Sequence, residues 1–291
     1  MKKYQISNIK YQISKSQRNT GQAVLLLVLI TVVGLTIGLS LVSRTVSDIR
    51  ISSQLEQSGR AFSAAEAGIE TALRSDVVAG PTGTLSLPGA SASYQVTTQG
   101  GGTDIFTTPF TEAGITQTVW LIEHNLDGTI NESGYYYPTD STIELCWGQS
   151  GGTVAALVVS IYYKDGTNYR YAKRAYDPIA RGNNFLTNVD TTGGYCSGLY
   201  NYRKFIIPAT DTNGNTDDFS IPGTAQLLMI RFIPVYNATS IALAPSSNLP
   251  VQGKVISSVG QTSTGIVRKI QVTQGYWVLP QLLDFALVTE N

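Results

Sequence analysis

From Ala23 to Val42 the chain reads AVLLLVLITVVGLTIGLSLV, twenty residues without a charge. As a helix rising about 1.5 Å per residue, such a run covers about 30 Å, the thickness of bilayer hydrocarbon. Residues 1–20 carry Lys2, Lys3, Lys10, Lys15 and Arg18 and no acid. Charge of this kind is retained in the cytoplasm, so the C-terminal body is expected outside a single-pass inner-membrane anchor. A secretory signal peptide is the competing reading, but its apolar stretch is usually about 7–15 residues and ends in a small-x-small site. The run here is longer, and no such site closes it cleanly.

The helical pattern continues beyond the apolar run. The first proline is Pro81, and Leu55, Phe62 and Ile69 recur at seven-residue spacing, with Ile51, Ala65 and Leu73 on neighbouring turns. That spacing predicts an amphipathic face. Glu56 precedes Arg60 and Glu70 precedes Arg74 in the favourable i,i+4 orientation. One helix is therefore expected from about Gln22 to about Val78, spanning over 22–43 and amphipathic over 44–79. Gly34 and Gly38 form a GxxxG pair within it. Such a pair lets a neighbouring helix approach closely, although glycine is also simply frequent in membrane helices.

Two short segments resemble a known family. Arg18-Asn19-Thr20-Gly21 ahead of the apolar helix resembles a prepilin leader, cut after its glycine by a prepilin peptidase. The run Arg60-Ala-Phe-Ser-Ala-Ala-Glu66-Ala-Gly-Ile-Glu70 resembles the segment that follows the membrane helix in PilX-type minor pilins of type IV pili. Related minor pseudopilins of type II secretion carry similar runs. The resemblance covers residues 15–75 and is borne by Phe62, Ala64, Ala65, Glu66, Ala67 and Gly68. It implies a basic leader over 1–21, cleavage between Gly21 and Gln22, and partnership with other pilin subunits through the N-terminal helix. Two positions depart from the pattern. The mature chain would begin with Gln22 rather than an aromatic or Met, and its fifth residue would be Leu26 where major pilins usually carry glutamate. The second departure resembles minor, tip-located members. Glu66 has two readings, a contact with a partner subunit or a solvated or head-contacting helix position.

After Val78 the composition changes. Gly80-Pro81, Pro88-Gly89 and Gly100-Gly101-Gly102 mark residues 80–103 as a loop-rich connection. Short strand-type runs follow, the clearest being 117–123, 142–147, 154–163, 169–176, 202–207, 226–236, 253–259 and 265–272. Lys164-Asp165-Gly166-Thr167 reads as a tight hairpin, and Gly260–Thr264 as the link of another. The expected fold class is α+β: a long N-terminal membrane-spanning helix, then an antiparallel β-rich globular head over 104–291. A charged fraction of 14% fits an exported β domain.

Chemistry-bearing residues are few. Cys146 and Cys196 either pair, closing a loop of about 50 residues, or stand as two buried thiols. His124 is the one histidine in the chain, so a histidine-dependent triad or multi-histidine zinc site lacks its parts. Asp211, Asn213, Asn215 and Asp217 place oxygens at alternate positions, as calcium loops do. Thr216 and Pro222 stand where an EF-hand needs glycine and glutamate, so a polar turn is the plainer reading. Residues 160–205 interleave tyrosines with Lys164, Arg170, Lys173, Arg174, Arg203 and Lys204. That pattern suits single-stranded nucleic acid or glycan, and equally a strand with half-buried tyrosines. No nucleophile elbow, Walker loop or HExxH is present.

The expectation is a non-enzymatic structural subunit, a minor pilin or pseudopilin, with membrane lipid and neighbouring subunits as partners, no cofactor other than the weak calcium candidate, and an extracellular filament as its destination. A permanently anchored surface-binding protein and an anchored hydrolase are the rivals.

Overall fold

The structure is a computed structural model and describes residues 20–74, 82–149, 152–206, 208–209 and 219–281. The chain divides into two units, residues 1–59 and residues 60–291.

A single helix, α1 (Thr20–Arg74), forms the described part of the first unit and enters the second. Among the described residues it is the one helix long and apolar enough to cross a membrane. Its early side chains stand exposed, Leu25 and Leu39 among them. The hydroxyls in this stretch turn back on the helix: Thr31 Oγ1 donates to the Val28 carbonyl and Thr36 Oγ1 to that of Val33, both at 2.8 Å. An apolar surrounding offers these groups no other partner, so the helix satisfies them internally.

In the second unit the described strands form three four-stranded antiparallel sheets. The first has β1 (Thr82–Leu87), β2 (Ala90–Gly102), β11 (Leu249–Thr262) and β12 (Val267–Gly275) side by side in that order. The second runs β3 (Phe106–Thr107), β10 (Ile241–Pro245), β5 (Ile143–Gln149), β8 (Tyr200–Ile206). The third runs β4 (Gln117–Trp120), β9 (Gln226–Val235), β6 (Ala156–Asp165), β7 (Asn168–Tyr176). The α+β class with a β-rich head is thus the observed one.

The expected loop-rich connection over 80–103 is corrected: 82–102 is a β-hairpin. Pro88 and Gly89 lie at its tip, between paired Leu87 and Ala90, with Gly89 at φ 75°. That is the Pro-Gly order of a type II turn. Alternating Ala and Ser made these strands read as linker. Small side chains are what their buried face requires, because the last turns of α1 lie on it. Ala61, Ala64, Ala65, Gly68, Ile69 and Ala72 are the buried helix positions. Ile69 and Ala72 pack with Val96 of β2 and Ile256 of β11. The predicted helix face is therefore rotated. Ala65 and Ile69 belong to the buried side, whereas Phe62 and Leu73 are exposed. The head thus takes in α1 from Arg60 and the β1–β2 hairpin, rather than starting at 104.

The second and third sheets enclose the main core. Leu145 and Trp147 of β5 and Leu243 of β10 meet Val159 and Ile161 of β6 and Phe232 of β9, all fully buried. Trp147 keeps its indole N–H satisfied by donating to the Ala155 carbonyl at 2.9 Å.

Candidate functional site

The outer face of the third sheet carries a row of large side chains. Trp120 of β4 pairs with Met229 of β9, Met229 with Tyr162 of β6, and Tyr162 with Tyr171 of β7, so the four sit side by side across the sheet. Strand alternation puts Val119, Val159 and Ile161 on the core side and this row on the other. A register shift between Tyr162 and Tyr163 leaves Leu228 as an extra residue in β9. This bulge turns both Leu228 and Met229 outward, into one cluster with Trp120, Ile122 and Tyr162.

The segment after β12 forms the opposite wall. Arg231 Nη2 donates to the Leu279 carbonyl at 3.0 Å, and the Gln281 side-chain amide donates to the Gly114 carbonyl. Between wall and sheet lies a groove of about 830 Å³. Trp277 on its rim is 89% exposed, Tyr169 64% and Tyr171 39%. A smaller hollow of about 330 Å³ adjoins it, and the two share His124, Asp127, Gly128 and Trp277.

Polar groups fix the groove's edges. Glu132 accepts from both Lys164 Nζ and the Tyr169 hydroxyl at 2.5 Å. The Lys164 hydrogen bond holds the Glu132 carboxyl below the usual carboxylate range, and the same contact raises Lys164. Lys164 also lies over the Tyr169 ring, 5.6 Å from its centroid. Asp127 Oδ1 accepts from the Thr129 amide at 2.9 Å and its hydroxyl at 2.6 Å, which lowers its pKa. His124 stacks on Tyr276 at 3.9 Å and meets Trp120 edge-on at 4.5 Å. Burial lowers its pKa, with the nearby Ile122 backbone opposing. Desolvation likewise raises Tyr276.

The residues singled out in the sequence fall in several places. Thr20, Gly21 and Gln22 are helical positions of α1, and residues 1–19 of the leader lie outside the described residues. Cβ atoms added at Gly34 and Gly38 would meet nothing within 4 Å. Of the family-like motif, Ala64, Ala65 and Gly68 face the first sheet, Ala67 is half-buried, and Phe62 and Glu66 are exposed. Cys146 and Cys196 form a disulfide, Cα–Cα 6.2 Å, tying β5 to the turn before β8. Asp211, Asn213, Asn215 and Asp217 lie outside the described residues.

The tyrosine-rich basic stretch does not form one surface. Tyr176 and Tyr200 are buried. Arg203 reaches Asp190 at 2.8 Å and Glu144 at 3.4 Å and covers the Tyr195 ring. Within that stretch, Tyr162, Tyr169, Arg170 and Tyr171 are the residues that line the groove. Sequence reading missed Trp120 and Trp277. Tyr276-Trp277-Val278, directly past β12 and ahead of Pro280, was the available signal, three large residues in a row outside any described strand.

The protein these features define has one membrane-length N-terminal helix and a β-rich head whose first sheet is closed by the end of that helix. No protein-family model matches the chain, and no characterised protein matches it in sequence.

Proposed function

We propose that this chain is a minor pilin or pseudopilin, a structural subunit that enters a type IV pilus-like filament through α1 and displays its head outside. The observation that carries the reading is the position of the Ala64–Gly68 run. It lies on the same helix beyond the apolar stretch, at the distance found in the resembled family, and its small residues form the close-packed seat of the head's first sheet. Gly34 and Gly38 leave an open notch on the apolar stretch, which suits a neighbouring helix. Apolar helix surface leaving the bilayer has to be reburied, and neighbouring subunit helices would do that. Leu26 at the fifth mature position fits a minor subunit better than a bulk one.

Prepilin processing is the test. Mass spectrometry of the membrane-purified protein, with and without a co-expressed prepilin peptidase, is expected to give a chain starting at Gln22 in the presence of peptidase alone, and Gly21→Ala is expected to abolish it. An intact Met1 beside an active peptidase would make the chain a permanent surface anchor. Cleavage near residues 40–44 would make it a secreted domain. Recovery in sheared filaments then separates an assembled subunit from a processed monomer.

A further inference from the structure

We propose that the groove on the outer face of the third sheet binds a neutral glycan, stacking its sugar rings between Trp277 and the Tyr169–Tyr171 edge. The proposal rests on the head alone and not on the filament reading above.

Both rings are exposed, and that of Tyr169 is already held in place. Tyr169 is fixed by its hydroxyl on Glu132, with Lys164 on the same carboxylate and over its ring, so the other ring face is presented. Trp277 is steadied by the anchored segment behind it, through the Leu279 and Gln281 contacts, and packs near Gly128. Gly128 has φ 84°, a conformation suited to glycine, at the tip of the turn that faces Trp277. Rings ordered before binding lose little entropy when a ligand arrives. The groove volume falls in the range of ligand pockets, about 300–1,000 Å³, whose linings are mostly apolar and aromatic with a few placed polar groups.

Charge selects the ligand class. A nucleic acid needs cations to spare for its phosphates. Here Lys164 is engaged by Glu132, and Arg170 lies 3.7 Å from Asp165, while Asp127 and Glu123 beside the rim offset Lys254. That balance offers a polyanion no surplus of positive charge. A neutral sugar chain offers what the groove complements, C–H faces for the electron-rich ring faces and hydroxyls for Asp127, Thr129 and Arg170.

The test uses the full-length protein in a detergent without a sugar headgroup. Tryptophan fluorescence is followed during titration with neutral hexasaccharides of α-1,4-glucose, β-1,4-glucose and β-1,4-N-acetylglucosamine. At least one is expected to give a saturable change. Trp277→Ala and Tyr169→Ala are expected to weaken that binding at least tenfold, read by calorimetry so that loss of the fluorophore does not matter. Phe110→Ala, an exposed ring outside the groove, is expected to leave affinity unchanged, and all three variants should melt with the wild type. Saturation by none of the three sugars would overturn the proposal. So would tighter binding of oligothymidylate that weakens with salt, binding of a proline-rich peptide in preference to sugar, or sugar binding indifferent to Trp277 and Tyr169.

Discussion

Gly260 of β11 lies directly beneath Ala61 of α1: a Cβ on Gly260 would run into the Ala61 carbonyl oxygen and come within 2.6 Å of the Ala65 nitrogen. Both obstacles are backbone, so no rotamer change relieves the clash. On the helix side, a Cβ at Gly68 would collide with the Ser258 hydroxyl and lie 3.3 Å from Ala92 Cβ. Helix and sheet therefore touch through paired small residues, which explains physically why Ala64, Ala65 and Gly68 occur together.

Gly260→Ala is expected to destabilise the head by about 2–3 kcal/mol, the usual cost of overpacking a closed site. In a head of this size that lowers Tm by roughly 5–10 °C. Differential scanning calorimetry of the detergent-solubilised chain measures it. A variant that melts with the wild type would show that helix and strand do not approach this closely.

Ser258→Ala is expected to act in the opposite direction. The Ser258 hydroxyl is fully buried under α1 and has no hydrogen-bond partner among the described residues. Removing an unsatisfied buried polar group recovers its desolvation cost, about 1 kcal/mol or more. The same melting experiment should place this variant above the wild type, and a lower Tm would mean that the hydroxyl is bonded.

Gln252 of β11 serves edge strand β4 as a substitute partner. Its Oε1 accepts from the Trp120 amide at 2.7 Å, and its Nε2 donates to the Trp120 carbonyl at 2.9 Å and to the Pro250 carbonyl at 2.7 Å. Gln252→Leu fills the same space but leaves those buried backbone groups unpaired, which is expected to cost about 3 kcal/mol. Gln252→Glu keeps an acceptor, loses the donor and adds a buried charge, so it should be the worse of the two. Equal stability of all three forms in urea titration would remove this strut from the account.

Much of the fold was legible because its signals are local. The apolar run gave the helix, and β-branched and aromatic runs gave β5 to β9 within a few residues. The Lys164–Thr167 turn matches the β6–β7 hairpin, where Asp165 pairs with Asn168. The β1–β2 hairpin was hidden because Ala, Ser and Gly are poor strand signals, and a distant helix rather than local propensity selects them there. The groove was hidden for a related reason. Trp120, Tyr162, Tyr171 and Trp277 are far apart in sequence, and strand pairing, a bulge and a returning terminal segment bring them together. Of the tyrosine-rich stretch, Tyr162, Tyr169, Arg170 and Tyr171 lie at that edge, whereas Tyr176, Tyr200 and Arg203 belong to core and ion-pair packing.

The Cys146–Cys196 disulfide closes a loop with a sequence separation of 50. By the chain-entropy estimate it stabilises the head by about 4 kcal/mol. The Cys146→Ala, Cys196→Ala double variant is expected to melt on the order of 10 °C lower. Dithiothreitol should shift the wild type by the same amount and leave the double variant unmoved. A wild type insensitive to reductant, with free thiols by alkylation, would mean that the bond is not formed.

His124 makes the groove's stability depend on pH in a calculable direction. Burial between Trp120 and Tyr276 disfavours the imidazolium and outweighs the opposing influence of the Ile122 backbone, so the folded pKa lies below the ordinary histidine value of 6.5. The unfolded chain then takes up a proton near pH 6.5 that the folded chain takes up only at lower pH. Stability is full above 6.5, falls as pH drops from 6.5 to the folded pKa, and loses nothing further from this group below that. As the chain has one histidine, the imidazole Cε1–H resonance gives the folded pKa without assignment. It should titrate below 6.5, and His124→Phe, which keeps a ring between its two neighbours, should flatten the fall in Tm just below pH 6.5. A resonance titrating at 6.5 or above would place the imidazole in water or beside an acid, and the stacked arrangement against Tyr276 would be wrong.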